Sequence, residues 1–269
     1  MAQKTDLKTQ IEKYLETLPQ GYQVSMKVDN LNGKVFYDID SEKKVPSAST
    51  IKIPIMMILM EEVKANRLDL NEIHTLKSNE KVEGGSVYGL PDDSKLTFRQ
   101  LMEAMIISSD NSATNIFIKR LTKEKINEKI RKWGFEKTTL NRIMLDFEAA
   151  KQGRENWITC GEVNQMLRMI EKKRVANPEL CDEMIGILKR NDDRTTIPRN
   201  IPKEIEIAHK TGGLDWVRGD AAIVYTPKPF IISIFVQSDK SNPSNPTLDI
   251  PKAEQIIGEL AEICYSTLK

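Results

Sequence analysis

Strand-like stretches sit at the two ends of this chain and a long helical pattern fills its middle, which leaves few ways to build a sheet. Near the N-terminus, "YQVSMKVDN" and "KVFYDID" flank the turn "NLNG", a hairpin signal. Near the other end, "EIEIAHKTG", "DAAIVYTP" and "FIISIFVQS" read as three more strands with short connections, the last two joined by "TPKP". Leu7, Ile11, Tyr14, Leu15 and Leu18 recur at helical spacing, so an amphipathic helix should open the chain and stop near Pro19. Pro251 to Leu268 should close it as another helix. From Thr50 to about Val63 nearly every face is apolar, the mark of a helix buried on all sides, with Pro54 tolerable because it lies near the first turn.

Beyond that helix, Thr97 with Gln100 and Thr159 with Glu162 match the capping box. Gly134 suits a C-cap and Pro178 a first helical turn, and the helical pattern runs to about Arg190 before "TTIPRNIP" breaks it. The expected fold is therefore α/β in the α+β sense: a five-stranded antiparallel sheet flanked by terminal helices, with an inserted all-helical subdomain. Residues 1–47 and 196–269 should form the sheet-containing subdomain and 48–195 the helical insertion, with the active site expected between them.

Composition narrows the function classes. The chain has 269 residues, 39% of them hydrophobic, and a formal net charge of +1 with acids and bases mixed, so nothing resembles a nucleic-acid-binding stripe. The densest apolar run, Ile53 to Met60, is far shorter than the roughly 20 residues a membrane span needs. Three cysteines (Cys160, Cys181, Cys264) lack metal-ligand spacing and read as buried thiols. The only histidines, His74 and His209, are far apart in sequence, so histidine-based hydrolysis and His-rich metal sites find little support.

Chemistry concentrates in three places. Ser-x-x-Lys occurs four times, at Ser41/Lys44, Ser49/Lys52, Ser78/Lys81 and Ser266/Lys269, but only Ser49 stands at the start of a buried helix. There the two side chains share a face, the helix N-terminus favours negative charge, and low dielectric eases deprotonation of a lysine. The alternative is an ordinary N-cap serine followed by a snorkelling lysine. "IISSDNSATN" holds Ser109, Asp110 and Asn111, which taken alone is a helix running into a polar loop. "IEIAHKTGGLDW" places Lys210, Thr211 and Gly212 at a strand end, which taken alone is a strand entering a Gly-Gly turn. All three in this order are far rarer than any one.

Ser-x-x-Lys, Ser-Asp-Asn and Lys-Thr-Gly together form the set shared by class A β-lactamases and penicillin-binding proteins. The chain resembles that family along essentially its whole length, and "STIK", "SDNSATN" and Asn115 are close to the class A forms. The resemblance implies that Ser49 attacks a β-lactam carbonyl and becomes acylated, that Lys52 assists in removing its proton, and that Ser109 relays a proton to the leaving nitrogen. It also implies that Asn111 holds the substrate's side-chain amide, that Lys210 and Thr211 bind its carboxylate, and that the backbone N–H groups of Ser49 and Gly213 form the oxyanion hole. Asp110 and Asn115 would brace the loop. The expected partner is a small β-lactam or peptidoglycan-like substrate, with no cofactor, no metal and no nucleic acid, acting on a monomer. "MAQKTDLKTQIEKYLETLP" is charged and not a secretory signal. The expectation is an extracytoplasmic protein whose signal has been removed, with a cytoplasmic location as the alternative.

Two features depart from the family. Class A enzymes carry a deacylating glutamate two residues after an arginine, and counting from Arg142 puts Met144 there. In the same register Glu148 falls where the family has a water-holding asparagine, so Glu148 is the expected replacement base, with Asp146 second. The alternative is that both acids only brace the loop, for instance by pairing with Arg142, and that product release is slow. Where many class A enzymes have a disulfide, this chain has Met56 and Met102. The glycine-rich "EGGSVYGLP" offers Tyr88 as a stacking face or is a plain loop, and Arg218 in "DWVRGD" is a candidate for extra positive charge near the carboxylate.

Overall fold

A computed structural model describes residues 6–238 and 247–269. In chain order its elements begin with α1 (Leu7–Glu16), β1 (Tyr22–Asn30), β2 (Val35–Ile39), β3 (Val45–Pro46) and α2 (Lys52–Lys64). Then come β4 (Ile73–Thr75), β5 (Lys95–Thr97), α3 (Phe98–Ile107), α4 (Asn111–Leu121), α5 (Lys123–Lys132), α6 (Phe147–Lys151) and β6 (Trp157–Ile158). The chain continues with α7 (Cys160–Glu171), α8 (Pro178–Lys189), β7 (Ile207–Leu214), β8 (Val217–Val224), β9 (Phe230–Ser238) and α9 (Ile250–Leu268). They fall into two compact units, one of Met1–Thr50, Thr159–Arg168 and Asp193–Lys269, the other of Ile51–Ile158 and Met169–Asp192.

The first unit holds the five-stranded antiparallel sheet, in the order β2-β1-β9-β8-β7. The two ends of the chain meet where β1 pairs with β9, from Tyr22 opposite Ser238 to Asn30 opposite Phe230. Val24, Met26 and Val28 alternate along β1 and bury with Ile232, Ile234 and Val236 of β9 and with Ile256, Ile257 and Leu260 of α9. That period-two pattern turns one face of the sheet toward α9, while Ile231, Ser233 and Phe235 of β9 are buried on the other.

The boundaries differ from those read in the sequence in one main respect, since Thr159–Arg168 belongs with the sheet. Polar ties explain it: Arg168 pairs with the buried Asp29 at 2.6 Å, Asn164 donates to the Lys27 carbonyl at 3.3 Å, and Ser233 donates to the Cys160 carbonyl at 3.2 Å. Burial pushes the Asp29 carboxyl up, and the Arg168 guanidinium opposes that rise.

The second unit is built around α2, whose residues Lys52 to Met60 are all buried, so its lack of a polar face is the correct signature of a central helix. Thr97 and Gln100 cap α3 reciprocally, Asn177 caps α8 with Pro178 in its first turn, and Gly134 follows α5 at φ +85°. In the sheet unit, Thr159 accepts from the Glu162 N–H at 3.1 Å at the start of α7. The insertion is not all-helical, because β4 and β5 pair as a ribbon. Strands of three residues are too short to show an alternation that sequence reading can detect. Met56 and Met102 are fully buried on α2 and α3, and the three cysteines are free and buried.

Gly219 on β8 lies opposite Phe235 on β9, and a Cβ there would run into the Phe235 ring. Gly219→Ala should therefore destabilise the protein by about 1–3 kcal/mol, read as a lower urea midpoint.

Candidate active site

Ser49 lies in a 3-10 turn, Ala48–Ile51, half-buried at the end of the sheet unit's first segment. Ala48 before it takes φ +45°, a left-handed conformation uncommon for a residue with a side chain. Thr50 fastens the turn, its N–H and hydroxyl donating to the Ser47 carbonyl at 3.0 and 2.6 Å. Strand β7 passes hard against it. A Cβ on Gly212 would lie 3.0 Å from both the Ser47 carbonyl oxygen and the Ser49 nitrogen, so any other residue would force the turn to give by a few tenths of an ångström. Lys210 on the same strand is fully buried, and its ammonium donates to the Thr211 carbonyl at 2.9 Å. Within the described sheet β7 is an edge strand, paired on one side by β8.

Behind β7, His209 Nδ1 lies 3.1 Å from the buried Asp220 carboxylate, which also accepts from the Thr196 hydroxyl at 2.7 Å. The histidine is thus spent on a buried carboxylate. Next to Gly213, Arg218 is enclosed by acids: Nη2 donates to Asp193 at 2.6 Å and pairs with Glu254 at 2.9 Å.

The helical unit brings Lys52, Ser109 and Asn111 together. The Lys52 ammonium, with no exposed surface, donates to the Ser109 carbonyl at 2.6 Å, the Ser109 hydroxyl at 3.1 Å and Asn111 Oδ1 at 3.0 Å. Ser109 reaches this position through φ +54°. Asp110 braces the turn from both sides, accepting at 2.7 Å from the Ala113 N–H at the start of α4 and from the Val87 N–H. Burial pushes its carboxyl up, against those N–H groups and the charge of Lys52.

The Asn111 amide is fixed at its other end by donating to the Glu83 carbonyl at 2.8 Å. Gly84 and Gly85 let the loop come this close, with φ of +91° and +94°, and a Cβ on Gly85 would collide with Asp110. The sequence marked this stretch only as glycine-rich, and no spacing in it reveals the partner. Tyr88, expected as a stacking face, is 47% exposed.

Asn115 grips the loop that follows Arg142, its amide accepting from the Met144 N–H at 2.8 Å and donating to the Met144 carbonyl at 3.2 Å. Met144 is buried, so the position where the family has its glutamate is filled by an apolar side chain. Glu148 is not brought to Lys52 and Ser109. Its side chain is 76% exposed and pairs with Lys151 at 2.8 Å. An acid bathed in bulk water beside an ammonium is a poor general base, which counts against the role expected for it. Asp146 caps α6, accepting from the Ala149 N–H at 2.9 Å. Arg142 pairs with neither acid but with buried Glu155, through Nε and Nη2 at 2.9 and 3.2 Å, a partner thirteen residues on that local spacing did not suggest.

Among the described residues no group of acids, histidines and cysteines could hold a metal ion, and no helix is long and apolar enough to cross a membrane.

The chain is similar to known proteins over nearly its full length. A family model described as the β-lactamase enzyme family matches residues 6–268. A β-lactamase of Bacillus licheniformis is 24% identical over 261 residues, 95% of this chain and 84% of that protein. The D-alanyl-D-alanine carboxypeptidase DacF of Bacillus subtilis is 25% identical over 118 residues, 42% of this chain and 30% of its own. Among solved structures, PBP-A superposes with a TM-score of 0.85 at 26% identity, covering 97% of this chain and 94% of the other. A point mutant of PBP-A, solved as an acyl-enzyme complex with penicillin G, gives 0.84 at 25% identity over 97% and 95%. With its five-stranded sheet and a family match from Asp6 to Leu268, the chain belongs to the β-lactamase enzyme family, hydrolases acting on cyclic amides.

Proposed function

We propose that this protein opens the β-lactam amide through an acyl-enzyme on Ser49 and releases the product slowly. The observation that carries the reading is the buried Lys52 ammonium, 3.1 Å from the Ser109 hydroxyl and three residues after Ser49. Lys52 in its neutral form takes the Ser49 proton as the hydroxyl oxygen bonds to the carbonyl carbon. The C–N bond then breaks as Ser109 gives its hydroxyl proton to the departing nitrogen and receives in its place, from Lys52, the proton taken from Ser49, which returns Lys52 to its neutral form. The N–H groups of Ser49 and Gly213 stabilise the oxyanion, Asn111 binds the side-chain amide, and Lys210 with Thr211 binds the carboxylate. The substrate is a small molecule, met outside the cytoplasmic membrane by a single copy of the chain.

Hydrolysis of the ester needs a base for water, and the thioether of Met144 cannot accept a proton at neutral pH. Glu148, exposed and paired with Lys151, does not compensate. This favours a second reading, a D-Ala-D-Ala carboxypeptidase or esterase, or a penicillin-binding sensor that acylates without turnover. The partial likeness to DacF and the likeness to PBP-A point the same way.

A chromogenic cephalosporin followed by intact-protein mass spectrometry should reveal a persistent adduct on Ser49, abolished in Ser49→Ala; no adduct would remove both readings. Met144→Glu should speed deacylation by about a hundredfold or more, as expected for a restored general base. Glu148→Gln should leave single-turnover deacylation unchanged, and a marked slowing would return Glu148 to the mechanism.

A further inference from the structure

A cavity of about 460 Å³ opens in the helical unit where α4 and the start of α5 meet the loop after Arg142. Its lining runs from Asn79 to Ile143, so it belongs wholly to that unit. The volume suits a small organic molecule. Val82, Ile116, Ile118 and Ile143 give it an apolar wall. Ile143 is 41% exposed, so apolar surface there still meets water and gains by being covered.

The polar lining is charged, and its groups are not equally free. Glu80 is committed within the protein, accepting from the Lys77 N–H at 3.0 Å with His74 Nε2 at 2.8 Å. Glu124 stands in the first turn of α5, where the helix N-terminus favours its charge. Lys119 and Lys123 make no ion pair among the described residues, and Lys123 donates to the Asn141 carbonyl at a long 3.3 Å. Two ammonium groups therefore line an apolar cavity without an acid of their own.

We infer that this cavity is a binding site for a small carboxylate with an apolar body. The body lies on Ile143 and its aliphatic neighbours, and Lys119 and Lys123 take the carboxylate. A neutral molecule of the same shape leaves both lysines unused, and an amine is repelled by them. The site does not depend on the acylation proposed for Ser49. Its occupant bears on the loop that carries Met144: Asn115, another lining residue, accepts from the Met144 N–H at 2.8 Å, and Ile143 is the residue before it. A ligand packed against both restrains the Met144 segment.

Decanoate below its micellar concentration is the probe, with decanol and decylamine beside it. Calorimetry on the full chain reads binding, and hydrogen exchange followed by NMR reads the Met144 amide. Decanoate should bind saturably, about fivefold more tightly than either control, the size of a partly exposed ion pair, and should slow exchange at Met144. The double change Lys119→Glu with Lys123→Glu should erase that preference and leave decanol binding as it was. Ile143→Ala should weaken decanoate and decanol alike by about tenfold, and Val82→Ala is a second wall variant should the first fail to fold. The inference is overturned if decanoate does not saturate, if the three probes bind equally, or if both wall variants keep the wild-type affinity. Bound decanoate that leaves Met144 exchange unaltered would refute the restraint on the loop.

Discussion

A buried ammonium on the first turn of α2 is the interaction that the helical unit is arranged around. Removing a lysine from water costs several kcal/mol unless acceptors replace the lost hydration, and Lys52 finds three of them on Ser109 and Asn111. Meeting that demand shapes the neighbouring backbone. Ser109 must turn into the left-handed region, Asp110 must then cap α4 and take the Val87 N–H, and the Asn111 amide is left pointing one way. A pair of glycines is needed for the loop that holds its far end. The same cation that makes the turn necessary also touches the Ser109 hydroxyl at 3.1 Å.

In the sheet unit the governing constraint is steric. Strand β7 lies so close to the Ser47–Ser49 turn that a Cβ on Gly212 would press on its backbone at 3.0 Å, which puts the turn of a nucleophile candidate against a strand carrying a buried lysine. Charges there are balanced locally: Asp220 serves His209, and Asp193 with Glu254 serves Arg218.

The loop after Arg142 keeps firm anchors around the apolar side chain of Met144. Glu155 anchors the arginine and Asn115 grips Met144, so the loop is tied at both points. The change lies in the chemistry of one buried side chain. An apolar group fills that point without loosening the loop.

Much of this fold and site is legible in the chain alone. The period-two runs at both ends, the apolar α2, the caps at Thr97 and Pro178 and the three motifs with Met144 among them are local facts, and local facts are written in adjacent residues. What the sequence could not determine is which partners distant residues would choose. Arg142 took Glu155 and not a nearer acid, Glu148 turned to solvent and Lys151, Arg218 drew two acids from either side of it in sequence, and β7 became the edge strand. Ion pairing and strand order depend on burial and on geometry across the fold, and neither leaves a periodic signal in the chain; the sequence determined which groups are present, and the tertiary structure decided which of them remain available.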